Sequence, residues 1–229
     1  MIDIGKELAD NADPGYKELH ARTIPGAGDM IGVRMPVLRD ISKKICGDDW
    51  RSFLDRPAVL HEERMLKALV IANAGMDFGE RLERTKGFVP EICNWAVCDI
   101  FCGDWKVRKG QDKERLWEYC LELIDTDDEF KMRISAVMML AHFLDDGHID
   151  EVLRLLTSKH HPGYYYKMGA AWTLSYCFIK YPEKTEPALF LNTLDKEIRN
   201  KAVQKISDSF RVSKEDKERL KAKKKACGS

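Results

Sequence analysis

Apolar residues recur along most of the chain at helical spacing, and alternating β-branched runs are scarce. The pattern predicts helices over Pro36–Ile45, His61–Asn73, Pro90–Cys102, Lys113–Ile124, Phe130–Leu144, Ile149–Leu156, Lys167–Tyr181, Glu197–Phe210 and Lys214–Lys224. The breaks are short and carry turn chemistry: Gly47-Asp48-Asp49, Asp125-Thr126-Asp127-Asp128, Asp145-Asp146-Gly147 and His161-Pro162-Gly163. Between Asn11 and Gly32 glycine and proline interrupt the pattern, and this stretch reads as irregular. Helices on short connections give an all-α fold. A single domain over residues 1–229 is expected, with an irregular or helical N-terminal segment (1–31) and a flexible tail (221–229).

Three of these helices are unusually apolar. Between Ile92 and Gly103 the only Lys, Arg, Asp or Glu is Asp99; Ile134–Leu144 has none and is preceded by Arg133; Met168–Ile179 has none and is preceded by Lys167. A helix apolar nearly all round lies between other elements. Arg64, Asp99, Arg133, Lys167 and Lys201 follow one another at intervals of 35, 34, 34 and 34 residues. A period near 34 with two helices per unit is the pattern of an α-solenoid of HEAT-like helical hairpins. An ordinary helical bundle with accidental spacing is the alternative. In phase, stacked repeats would bring Asp99, Arg133 and Lys167 to one concave surface.

Those charges have two readings. Asp99 and Arg133 could form a buried ion pair that joins repeats. They could also belong to a site, because Trp95 lies one helical turn before Asp99, and Trp172 sits in the third apolar helix behind Tyr164-Tyr165-Tyr166. Indole faces attract cations, and a carboxylate beside them suits a cationic substrate or transition state.

Composition narrows the classes. Apolar residues are 44% and charged residues 33%, enough apolar content for a core and too much for wholesale disorder. The formal net charge is zero, which excludes a simple polycation but not a locally basic face. Arg199–Lys225 holds eleven basic and four acidic residues, a net of +7. Arg199, Lys201 and Lys205 are candidate phosphate contacts, joined by Arg64 and Lys167, whereas Lys221–Lys225 reads as a solvated tail. No apolar run reaches membrane-span length and no signal peptide is visible; with seven cysteines set in apolar segments, a reducing, cytoplasmic setting is expected. No metal-ligand cluster, phosphate loop or other cofactor motif appears, so no metal or cofactor is expected.

From about Gly32 to Arg211 the chain resembles the DNA alkylation repair proteins of the AlkD type, HEAT-like-repeat DNA glycosylases. Gly32-Val33-Arg34-Met35-Pro36-Val37-Leu38-Arg39 is similar to the family's opening Gly-x-x-x-Pro-x-x-Arg. Trp95-Ala96-Val97-Cys98-Asp99 resembles its catalytic Trp-x-x-x-Asp, Arg133 its active-site arginine, and Trp172 its second tryptophan. Glu197-Ile198-Arg199-Asn200-Lys201-Ala202 resembles its closing helix, and Asn94 departs from an aromatic often found there. The resemblance implies hydrolysis of the N-glycosidic bond of cationic alkylpurines, such as 7-methylguanine and 3-methyladenine, in double-stranded DNA by a monomer. Asp99 would stabilise the oxocarbenium-like sugar, Trp95 and Trp172 would contact the deoxyribose and backbone, and Arg133 would hold the carboxylate ionised or bind a phosphate. A non-catalytic repeat scaffold that binds DNA or a protein is the second reading.

Overall fold

Aspartate and asparagine start the helices. Asp3, Asp13, Asp49, Asp77, Asn94, Asp128 and Asp195 each accept a backbone N–H from the first turn of the helix that follows, satisfying donors that have no partner within the helix. The structure, a computed structural model, describes residues 2–107 and 110–227, apart from the side chain of Cys227, and among these residues the only regular elements are helices. Gly228 and Ser229, the end of the expected tail, lie outside the described residues. Contacts divide the chain into two units, Met1–Lys113 and Glu114–Ser229.

The first unit holds α1 (Ile4–Asp10), α2 (Pro14–Thr23), α3 (Met35–Cys46), α4 (Trp50–Leu54), α5 (His61–Asn73), α6 (Phe78–Phe88) and α7 (Trp95–Asp104), and α8 (Gln111–Ile124) opens at its end. Helix α5 packs between α3 and α7, and its Leu66, Ala68 and Val70 are fully buried. The stretch expected to be irregular contains α2. Asp13 caps it and Pro14 occupies its first turn, where a missing N–H costs nothing. Pro90 does not open α7. It lies in a 3-10 turn, Val89–Glu91, and α7 starts at Trp95 because the Asn94 side chain caps Val97 N at 3.1 Å. Helices α4 and α6 were not expected from the periodicity.

The second unit carries most of α8, followed by α9 (Glu129–His142), α10 (Ile149–Ser158), α11 (Tyr164–Lys180), α12 (Pro182–Leu189), α13 (Lys196–Asp208) and α14 (Lys214–Cys227). Helix α11 packs against α9 on one side and α13 on the other, with α12 behind it. That placement explains why α9 and α11 carry so few charges: nearly every face meets another helix. Burial pushes the thiol of Cys177 in α11 up to about 12 and that of Cys120 in α8 higher still.

The repeat is visible in the bonding. Lys184 pairs with Asp150 at 2.8 Å, the Thr173 hydroxyl donates to the Ala136 carbonyl at 2.8 Å, Tyr181 Oη donates to Asp146 at 2.9 Å, and Arg219 pairs with Glu186 at 2.8 Å. Lys159 pairs with Asp125 as well. These partners are 33 to 37 residues apart, one period of the chain. Arg133, Lys167 and Lys201 stand in the first two turns of the adjoining helices α9, α11 and α13, and Arg64 and Asp99 do so in α5 and α7. The all-α expectation therefore holds among the described residues, consistent with an α-solenoid, and the period is seen in the bonding of the second unit.

The N-terminal segment is fastened by one buried carboxylate. Glu62, 2% exposed at the start of α5, accepts N–H bonds from Ile31 (3.1 Å), Gly32 (2.7 Å) and Val33 (3.3 Å). Gly32 sits at φ 89°, and a Cβ there would lie 2.3 Å from the Asp13 carbonyl oxygen and 2.7 Å from Lys17 N. Gly32→Ala should therefore lower stability by roughly 3 kcal/mol or more, from combined backbone strain and clash, seen as a fall in denaturation midpoint with the helical far-UV signal retained below it.

Candidate active site

Helix α7 presents the candidate site residues of the first unit. Trp95 is its first residue and Asp99 stands one turn later, both part-exposed, on a helix whose Val97, Cys98 and Phe101 are fully buried. The burial pattern follows from α7 packing on α5, which takes the apolar positions and leaves the Trp95–Asp99 stripe open. Trp95 is held in place: its Nε1–H donates to the Thr23 carbonyl at the end of α2, at 2.9 Å. Arg64 Nη1 donates to the Ala27 carbonyl at 3.4 Å, so Trp95 and Arg64 fasten the same Thr23–Ala27 stretch.

The same unit holds a histidine pair. His20, in the last turn of α2, accepts or donates a 3.0 Å hydrogen bond with Tyr16 Oη, and its ring centroid is 6.5 Å from that of His61. His61 is buried beside Glu62, and neither ring nitrogen has a hydrogen-bond partner among the described residues. Burial pulls both imidazoles below the usual histidine range; Glu62 opposes this at both, while Arg64 and His20 add to it at His61. Sequence reading did not single out these residues. His61-Glu62-Glu63 looks like an ordinary charged first turn, and only the fold of residues 24–33 over α5 buries it.

The second unit holds Arg133 and Trp172. Arg133 is 4% exposed in α9 and its Nη1 donates to the Tyr165 carbonyl of α11 at 2.8 Å. Its aliphatic stem lies under Gly169, where an added Cβ would come 3.1 Å from Arg133 Cγ. Trp172 is part-exposed, three residues further along α11, and meets Tyr176 edge-on at 6.1 Å between centroids.

The candidate phosphate contacts separate into two groups. Lys167 has a side chain 14% exposed and pairs with Glu197 at 2.8 Å and Asp195 at 3.4 Å; the Glu197 hydrogen bond holds its ammonium above the usual lysine range. Arg199 donates to the carbonyls of Leu189 (2.9 Å), Leu191 (3.0 Å) and Leu194 (3.4 Å), closing the loop after α12. Arg64 is engaged at Ala27. Lys201 and Lys205, on the outer face of α13, form no ion pair among the described residues.

Helix α14 carries the Lys221–Lys225 run, with Lys223 and Arg219 both on Glu186 at 2.5 and 2.8 Å. Among the described residues no helix is long and apolar enough to cross a membrane.

A family model described as DNA alkylation repair enzyme matches residues 4–206. The chain belongs to that family. No curated protein matches it. The DNA alkylation repair family membership covers both units, and with them every site residue predicted from the sequence.

The histidine pair gives a pH dependence with a definite sign. An imidazole whose folded pKa is depressed binds its proton more readily in the unfolded chain. Stability is then unaffected by that group well above its ordinary value of 6.5, and falls as pH drops below it, by up to ~1.4 kcal/mol per pH unit, until the folded pKa is reached. Chemical denaturation from pH 8 to pH 5 should show this loss, and His61→Leu should remove part of the slope while leaving His20's share.

Proposed function

We propose that this DNA alkylation repair protein hydrolyses the N-glycosidic bond of cationic alkylpurines in duplex DNA. The observation that carries the reading is the Trp95–Asp99 stripe: a carboxylate and an indole one turn apart, part-exposed on a helix that is otherwise apolar, in a chain of this family. Alkylation at N3 or N7 gives the base a positive charge, so it departs as a neutral purine without needing a protein acid. The C1′–N bond breaks, its electron pair goes to the base, and the sugar becomes oxocarbenium-like. Asp99 opposes that charge and orients the attacking water, accepting its proton as the new C1′–O bond forms. Trp95, fixed by the Thr23 carbonyl, offers the cationic sugar an aromatic face without having to be ordered at the moment of reaction.

Arg133 acts here as a positioning residue. Buried and bonded to the start of α11, it fixes the helix that presents Trp172 to the DNA backbone. Lys201 and Lys205 supply phosphate contacts from α13.

Release of 7-methylguanine from methylated duplex DNA, followed in single turnovers, tests the chemistry. Asp99→Asn should lower the rate by roughly two to three orders of magnitude and leave DNA affinity nearly unchanged. Its melting temperature should also hold. A collapse in stability, on the scale of the about 3–5 kcal/mol expected when a buried pair is broken, would make Asp99 a structural residue. Wild-type protein that binds DNA yet releases no base would leave the non-catalytic scaffold.

Binding should weaken steeply with salt, and Lys201→Ala should reduce the slope of log K against log salt by about 0.9 without changing which lesion is released, measured by anisotropy over a salt series.

A further inference from the structure

Phe210 is the most exposed large apolar side chain of the described residues, at 103% of its reference area. It is not on a loose end. The turn between α13 and α14 is fixed on both sides of it. The Arg211 backbone N–H donates to Ser209 Oγ at 3.2 Å, Val212 is buried, and the Arg211 guanidinium lies 4.9 Å above the Tyr176 ring while Nη2 donates to Tyr176 Oη at 3.1 Å. Tyr176 in turn meets Trp172 edge-on. Trp172, Tyr176 and Arg211 thus form a continuous series, and the residue just before Arg211, Phe210, holds a bare phenyl ring out to solvent.

The surroundings name the occupant. Lys201 and Lys205 stand on the outer face of α13, the helix that leads into this turn, and the segment Arg199–Lys225 has a net charge of +7. A basic segment that also holds out an aromatic ring with no intramolecular cover fits a nucleic acid better than an apolar protein face. We propose that Phe210 stacks on a base step of the bound duplex, with Arg211 and Tyr176 holding the turn in place. This rests on the DNA-repair reading above and adds to it a contact outside the Trp–Asp pair. Such a ring contributes to affinity independently of salt, unlike the lysines of α13.

The test uses full-length protein and a set of duplexes carrying a tetrahydrofuran abasic analogue, with 2-aminopurine placed at successive steps on either side of it. Phe210→Ala should weaken binding about tenfold at every salt concentration and leave the salt slope unchanged. It should also abolish the fluorescence change at 2-aminopurine, whereas Phe210→Trp should preserve both. The melting temperature should not move, since the ring packs on nothing. If wild type binds with a normal salt slope and Phe210→Ala binds equally well, the proposal is overturned and the glycosylase reading stands. If wild type does not bind DNA at any salt, both fall. If wild type self-associates in sedimentation and Phe210→Ala does not, with DNA affinity equal, the ring is a contact between copies and the proposal is overturned.

Discussion

The first unit depends on the carboxylate of Glu62. Three consecutive backbone N–H groups, at Ile31, Gly32 and Val33, converge on it in a place closed to water. Hydrogen bonds to a charged acceptor contribute about 1.5–3 kcal/mol each, and leaving such a group without them is more costly still. The requirement fixes the path of residues 24–33 over α5, and that path delivers the Thr23 carbonyl to the Trp95 indole. The aromatic wall of the site is therefore positioned from a buried anion two helices away, through backbone and not through side-chain packing alone.

In the second unit a different constraint operates. Helices α9, α11 and α13 lie side by side, so each must be apolar on two flanks and can carry charge only at its first turns or along its one open stripe. Arg133 and Lys167 occupy the first kind of position and Trp172 and Tyr176 the second. Bonds between residues about one period apart, from Thr173–Ala136 to Arg219–Glu186, lock neighbouring repeats laterally. Each such bond holds only if the number of residues per repeat is kept.

Much of this could be read from the sequence because it has a period. The spacing of Arg64 and Asp99 marks α5 and α7 in the first unit, that of Arg133, Lys167 and Lys201 marks α9, α11 and α13 in the second, and His61–Asn73 matches α5 residue for residue. Short or proline-led helices were harder: α2 and α12 open on Pro14 and Pro182, which read as breaks unless the aspartate or tyrosine before them is recognised as a cap. The supports of the site were not legible. Glu62 looks like a solvated first-turn acid, and nothing local says that it will be covered. Lys167 and Arg199 look like phosphate ligands by charge alone, but their ammonium and guanidinium groups are engaged by carboxylates and carbonyls brought near only by folding. Lys201 and Lys205 differ from them in forming no ion pair among the described residues, a property that composition does not encode.

The raised thiols have a bearing on chemical durability. An alkylating electrophile reacts with a thiolate far faster than with a thiol. Cys120 and Cys177 are fully enclosed and hold their protons, and Cys98 and Cys102 are equally enclosed in α7. The helix that carries Trp172 can thus hold Cys177 as a small core residue without offering a nucleophile to the reagents that damage DNA, and burial alone keeps such reagents from Cys98 and Cys102. Cys93, two residues before Trp95, is exposed and carries no such protection.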